Sequence, residues 1–223
     1  MEQQPRLSQV KNQITKDWQL ELPKLGVYRA RCLLRRVGPL LVGVTLLGGS
    51  ARDHYEPFFH VHFLGKNFPV LSLTLATSPT DMAQETVYLS SHAARYKDLV
   101  RQLVARAPLS IEGPLTIKEV IAAYRGYIKT PGGPGQILHI YEDCIKLLAC
   151  YGLADQARAM LDEIHGIVKD DYGYSDFGGR ESFYREMLES IEQPQRVWDQ
   201  VKESLLQLKV PPRVPVEDFV PEQ

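Results

Sequence analysis

Cysteine is scarce in this chain, and its scarcity excludes a disulfide framework. The 223 residues include three cysteines, Cys32, Cys144 and Cys150, and each of them stands in an apolar stretch. An odd number of cysteines at unremarkable spacings is typical of reduced, buried thiols in a reducing compartment.

Long hydrophobic runs and an excess of one charge are also missing. The longest apolar run, residues 39–47, is too short to span a bilayer, and the first ten residues lack the apolar core of a signal peptide. A net charge of −1 favours neither nucleic acid nor an anionic membrane. We therefore expect a cytoplasmic protein without a membrane partner.

Motifs that specify a reaction are absent. The sequence has no H-E-x-x-H, no pair of C-x-x-C clusters and no G-x-S-x-G. The glycine-rich segment 131–135 lacks the Lys-Ser/Thr that completes a P-loop. These absences favour a non-catalytic protein without a cofactor.

Strand signals dominate the first third of the chain. A leading helix is predicted over 6–17, where Leu7, Val10 and Ile14 recur at helical spacing. Apolar alternation or β-rich composition then predicts a short strand at 19–22 and four stronger strands at 27–37, 40–47, 58–64 and 70–76. We expect the four to form an antiparallel sheet joined by short loops.

The hydrophobic period becomes helical near Ser90. A capping box, Thr116 to Glu119, predicts a helix start at residue 117. Further helices are predicted over 91–106, 136–168 (as an αα-hairpin), 181–191 and 194–208. The fold class is therefore predicted to be α+β, with an N-terminal sheet and a mostly helical C-terminal half.

The hairpin turn Gly152-Leu153-Ala154-Asp155-Gln156-Ala157 is similar to the turn of a tetratricopeptide repeat, a helical protein-binding unit. A second copy is not found, and such repeats need about three copies to stabilise one another. The likeness therefore predicts an αα-hairpin and implies no function.

The Pro/Gly cluster at 131–135 is the best candidate domain boundary. It predicts a sheet-containing α+β domain at 1–130 and a helical subdomain at 131–209. A tail with four prolines follows at 210–223 and should be extended. In the last helix, Trp198 is expected to anchor the helix to the core together with Val201 and Leu205.

Two histidines on one strand are the clearest candidate ligands. His60 and His62 stand two residues apart, so their side chains share one sheet face, and His54 or His92 could complete a metal site. A metal-dependent enzyme built on this pair is one alternative function. The other interpretation is that both histidines pack and hydrogen-bond within the sheet.

Three arginines form a second candidate site. If 27–37 is one strand, Arg29, Arg31 and Arg35 share a face. That face could bind phosphates, which makes a nucleic-acid-binding module the second alternative, or an acidic protein partner. A solvated or ion-paired face is the simpler interpretation.

The C-terminal tail combines stiffness, apolar side chains and acid. Its candidate contact residues are Val214, Val216, Phe219 and Val220, and its acidic groups are Glu217, Asp218 and Glu222. Such a strip loses little entropy on docking and suits a basic groove or sheet edge. The arginine face of this chain, in cis or in another copy, is one candidate partner, and the alternative is a disordered end.

These features together predict an accessory or adaptor protein that works by contact with another protein or with itself. Nucleic acid is a less favoured partner, because aromatic side chains do not interleave with the arginines.

Overall fold

The computed structural model describes residues 7–48, 53–80, 85–129, 134–169 and 171–221. It confirms the α+β class: a sheet of more than four strands precedes a mostly helical C-terminal half. No described helix is long and apolar enough to cross a membrane.

The leading helix is longer than predicted. Helix α1 spans Leu7–Glu21, so the strand predicted at 19–22 is wrong. Ile14, Trp18 and Leu22 recur every four residues and are all buried, which continues the helical stripe through the supposed strand. An alternating pattern of only four residues is weaker evidence for a strand than the buried helical stripe is for a helix.

The sheet is antiparallel along its main path. The strands follow the order β1-β2-β3-β4-β5, and a short strand β6, missed in the sequence, pairs with the start of β4. The bounds are Gly26–Arg29 (β1), Cys32–Val37 (β2), Leu40–Leu47 (β3), His54–Phe63 (β4), Thr74–Thr77 (β5) and Val87–Tyr88 (β6).

The strand predicted at 27–37 is in fact two strands. Ala30 and Arg31 form a turn between β1 and β2, and Arg31 has a φ of 65°. A left-handed conformation is uncommon for a residue other than glycine, asparagine or aspartate, so the residue types gave no turn signal.

The tail forms a further strand. Strand β7, Val216–Glu217, runs parallel to β2, with Arg36 opposite Val216 and Val37 opposite Glu217. Strand β3 pairs along the whole of β2, so β1 and β7 share the other side of β2. An edge position suits a segment rich in proline.

The helices agree closely with the predicted pattern. They are α2 (His92–Arg106), α3 (Ile117–Ile128), α4 (Pro134–Cys150), α5 (Ala154–Ile167), α6 (Arg180–Glu192) and α7 (Pro194–Gln207). The capping box is present, since Thr116 Oγ1 accepts from Glu119 N–H at 3.1 Å. Gly152, with φ of 73°, ends α4 and opens the αα-hairpin.

The chain divides into two compact units. The first contains the described residues up to His62, Leu71–Leu115 and Lys209–Pro221, and holds the sheet with α1 and α2. The second contains Phe63–Val70 and Thr116–Leu208, and so includes α3 to α7. The Pro/Gly boundary predicted from residue 131 falls largely on residues 130–133, outside the described residues.

Helix α4 is the centre of the second unit. Helices α3, α5, α6 and α7 all pack on it, and every residue of α4 from 140 to 149 is buried. Trp198 of α7 is only half-buried; its Nε1–H donates to the carbonyl of Cys150 at 3.3 Å, and its ring lies edge-on to Tyr151. Its role as an anchor stays a prediction.

We expect Trp18→Ala to be strongly destabilising in the first unit. The side chain is fully buried, lies edge-on to Tyr55 and donates a hydrogen bond to its hydroxyl. Truncating a buried tryptophan typically costs about 3–5 kcal/mol of unfolding free energy. Urea denaturation measures this loss.

The matched control is Leu20→Ala in the same helix, because Leu20 is 74% exposed. It should change the unfolding free energy by less than about 0.5 kcal/mol. Similar losses in the two variants would show that α1 does not pack through the Ile14–Trp18–Leu22 stripe.

Candidate functional site

The three candidate arginines do not share one strand face. Arg29 lies on β1 and is exposed, Arg31 lies in the turn and is 9% exposed, and Arg35 lies on β2 and is fully buried. The geometric premise of a continuous arginine face was wrong, because the turn at Ala30-Arg31 breaks the strand. Binding of nucleic acid or an acidic partner there stays a prediction.

Arg35 is the centre of an internal polar cluster in the first unit. One guanidinium nitrogen donates to Glu217 Oε2 at 2.6 Å. The other donates to the carbonyls of Ser110 and Gly113 at 2.9 and 2.7 Å. Burial lowers the pKa of Arg35, and the carboxylate of Glu217 opposes that shift.

The tail is held by its backbone as well. Arg36 N–H donates to the Pro215 carbonyl at 2.8 Å, and Gly38 N–H donates to the Glu217 carbonyl at 3.0 Å. Gly26 makes this approach possible, since a Cβ there would lie 2.1 Å from the carbonyl oxygen of Arg213. The tail is therefore docked in cis and is not a loose end.

The four candidate contact residues of the tail divide into two groups. Val214 is 3% exposed and packs inward, and Phe219 is half-buried. Val216 and Val220 are 67% and 41% exposed. Docking thus leaves two apolar side chains of the tail on the surface.

The candidate metal-binding histidines are engaged in the sheet. His60 Nε2 lies 2.8 Å from Thr45 Oγ1. His62 Nδ1 accepts from Ser72 N–H at 2.9 Å and lies 2.9 Å from Ser72 Oγ. Both rings are buried, and burial lowers the pKa of His60 to about 4.

Among the described residues, the structure places no third metal ligand beside His60 and His62. His54 is partly exposed and contacts Asp53, at 3.2 Å. Among the residues that the structure describes, no group of three or more His, Cys, Asp or Glu side chains is placed to hold a metal ion. The metal affinity of His60 and His62 stays a matter of prediction.

His92 belongs to a separate hydrogen-bonded chain. Its Nε2 lies 3.0 Å from Asp17 Oδ2, and its Nδ1 lies 2.8 Å from the hydroxyl of Tyr55, which also accepts from Trp18. Burial raises the pKa of Tyr55 to about 12. With Tyr55 fully buried, this chain ties α1 and α2 to β4 and offers no exposed nucleophile.

The environments of the three cysteines disfavour thiol reactivity. Cys32 and Cys144 are buried and Cys150 is partly buried, all three as free thiols. Burial raises the pKa of each thiol, to about 12 for Cys150, which disfavours the reactive thiolate.

Sequence reasoning missed a charged cluster in the second unit. Glu142, Asp143 and Lys146 of α4 are each no more than 6% exposed. Lys66 Nζ lies 2.5 Å from Asp143 Oδ1, and Lys146 Nζ lies 2.7 Å from both Glu142 Oε1 and Glu186 Oε1. A cavity of about 270 Å³ opens beside this cluster.

The cluster shifts the pKa values of two neighbouring carboxyl groups in opposite directions. Burial raises the pKa of Asp143 to about 6, and Lys66 only partly offsets this. Burial has the same tendency at Glu142, but the hydrogen bond from His139 and the charges of Lys146 and Lys66 lower its pKa to about 2. Perturbed groups beside a cavity are typical of functional sites.

The sequence gives no signal that could have revealed the cluster. His139, Glu142, Asp143 and Lys146 are three or four residues apart and so share one face of α4, as polar residues do on an amphipathic helix with one face in solvent. The burial of Glu142, Asp143 and Lys146 is evident only in the structure. The partner Lys66 stands 77 residues before Asp143, and no spacing rule connects the two.

Comparison with known proteins found no matching family model, no matching curated protein and no matching solved structure.

We predict that His60 and His139 titrate on opposite sides of the ordinary histidine pKa, near 6.5. Burial holds His60 neutral to about pH 4, whereas the hydrogen bond to Glu142 raises the pKa of His139 despite its partial burial. An NMR titration of the two imidazole resonances, assigned by His60→Gln and His139→Gln, measures both values.

The expected curve for His60 is flat between pH 8 and 5, while that for His139 is already past its midpoint at pH 6.5. If His60 titrates near 6.5, its ring is accessible to water, and the buried Thr45 contact is wrong.

Proposed function

We propose that this chain is a non-catalytic accessory protein that works by contact with another protein or a second copy, through its docked C-terminal tail. The observation that carries the proposal is the exposure of Val216 and Val220 on a segment whose backbone is already fixed. A fixed apolar strip suits recognition better than a mobile one.

Preorganisation is the physical reason. Ordering a flexible segment on binding costs free energy, and a segment that is ordered beforehand avoids that cost. The tail is ordered by Arg35 and Gly26, and at its far end Val220 N–H donates to the Leu115 carbonyl at 2.9 Å. Its side chains therefore meet a partner in one arrangement.

Charge limits the kind of partner. Glu217 is used internally by Arg35, while Asp218 stays exposed between the two valines. A partner with an apolar contact patch and a basic rim would match this order of side chains.

Deletion of the tail would be a poor test. From the sequence alone we would expect removal of 210–223 to leave folding intact, and that stays a prediction. In the structure the removal would take from Arg35 its carboxylate partner, so a loss of stability could be mistaken for a loss of binding. Substitutions of exposed side chains avoid this loss.

We expect Val216→Asp to weaken the complex at least tenfold without changing the melting temperature. The valine is 67% exposed, so its replacement disturbs a partner surface and not the core. Sedimentation measures self-association of the purified chain. Affinity capture, followed by a Kd with the purified partner, measures binding to another protein.

Val104→Asp is the matched control, since Val104 is 48% exposed on α2 of the same unit. It should leave both readouts unchanged. The proposal would be wrong if the purified chain is monomeric and the captured proteins bind the Val216→Asp variant as tightly as they bind the original chain.

A further inference from the structure

The cavity in the second unit has polar walls of both charges. It is lined by Lys66, Glu142, Lys146, Glu186, Glu189 and Arg196, together with smaller or uncharged residues. Its volume of about 270 Å³ leaves room for a small ligand such as an amino acid.

The inner wall is buried and ion-paired. Glu142 and Lys146, four residues apart on α4, form an ion pair of 2.7 Å, and both side chains are more than nine-tenths buried. Lys66 reaches the same carboxylate at 3.8 Å and also donates to the carbonyl of His139. Gly65 lets this segment approach α7, because a Cβ there would lie 2.8 Å from Val197 Cγ1.

The outer wall can rearrange. Glu186 and Glu189 of α6 and Arg196 of α7 have side chains that are 49%, 43% and 61% exposed. Glu189 pairs with Arg196 at 2.7 Å, and Glu186 pairs with Lys146 at 2.7 Å. The Glu189–Arg196 pair is exposed on both sides and therefore weak, so a ligand can exchange with it. Glu186 is half exposed, and Lys146 keeps Glu142 as a partner if Glu186 moves.

Hydrogen-bonding capacity remains for a ligand on both kinds of group. The ammonium of Lys146 has three donors, of which Glu142 and Glu186 take two. The carboxylates of Glu186 and Glu189 are each engaged by a cation through one oxygen in the contacts described, and each has a second. Groups with remaining donors and groups with remaining acceptors thus line the same cavity.

We propose that this cavity binds a free α-amino acid with a polar, uncharged side chain. The ligand ammonium lies between Glu186 and Glu189, and the ligand carboxylate reaches Lys146 and Arg196. Asn67, Ser190 and Gln200, which also line the cavity, face the ligand side chain. This site is assigned independently of the tail contact.

The balance of charge selects a dipolar ligand. The wall carries three cations and three carboxylates, so a ligand with one charge of each sign leaves that balance intact. A simple anion would satisfy the cations and leave Glu186 and Glu189 displaced and uncompensated, and a simple amine would do the reverse. A metal ion held by the carboxylates of Glu142 and Glu186 would lie beside the positive charge of Lys146. Repulsion between the two cations disfavours a metal site here.

The test is calorimetric titration of the full chain with L-glutamine, L-asparagine, L-serine and L-threonine. Sodium acetate and ethylammonium chloride serve as probes with a single charge. We expect at least one of the amino acids to bind, and to raise the melting temperature, at concentrations where acetate and ethylammonium do neither.

Two variants locate the site. Glu186→Gln and Arg196→Gln should each weaken binding of the amino acid at least tenfold. Glu192→Gln on α6 and Lys202→Gln on α7 are matched controls, exposed and outside the cavity lining, and should bind as the original does. Arg196 is itself largely exposed, so its variant should fold normally even if Glu186→Gln loses stability.

Three outcomes would overturn the proposal. One is the absence of binding by all four amino acids at millimolar concentration. A second is equal binding of acetate or ethylammonium, and the third is binding that neither cavity variant weakens. None of these outcomes bears on the valine contact of the tail.

Discussion

The ion pair between Arg35 and Glu217 ties the C-terminal tail to strand β2 in the first unit. A guanidinium without solvent exposure must find its partners inside the protein, because an unpaired buried charge is very costly. Two backbone carbonyls supply part of the need, and the chain brings the carboxylate from 182 residues away. The C-terminal tail therefore has to lie against β2, and Gly26 has to stay a glycine beneath it.

The same principle organises the second unit. Helix α4 is enclosed by four other helices, yet it carries Glu142, Asp143 and Lys146. Lys66 and Glu186 neutralise these groups from neighbouring segments. Replacing such a cluster by apolar residues would often stabilise a protein, so stability alone does not account for these buried charges.

The sequence predicted features that depend on local chemistry. The capping box at Thr116, the turn at Gly152 and the change of hydrophobic period near Ser90 each act within a few residues, and each has its counterpart in the structure. The almost wholly apolar run at 40–47 likewise predicted a strand, and β3 has the same bounds.

Features that depend on distant partners could not be predicted in the same way. The turn at Arg31 adopts a left-handed conformation without the usual residue types. Docking of the tail on arginines of the same chain could be predicted only as one of several options. Opposite charges show that two segments can attract each other, but they do not show where the segments meet. The cavity beside Glu142 needs Lys66 from a different segment, and residue spacing gives no information on that contact.

Hydrogen exchange at the amides of Arg36 and Gly38 tests the central claim that the Arg35–Glu217 pair fixes the tail. Both amides donate to tail carbonyls, so they should be protected in the original chain. Glu217→Gln should accelerate their exchange by about tenfold, equivalent to roughly 1.4 kcal/mol, because the Glu217 side chain is 37% exposed and solvent partly screens the pair. Asp218→Asn, one residue further along, should leave the exchange unchanged. Equal exchange in all three proteins, or fast exchange in the original, would contradict the account.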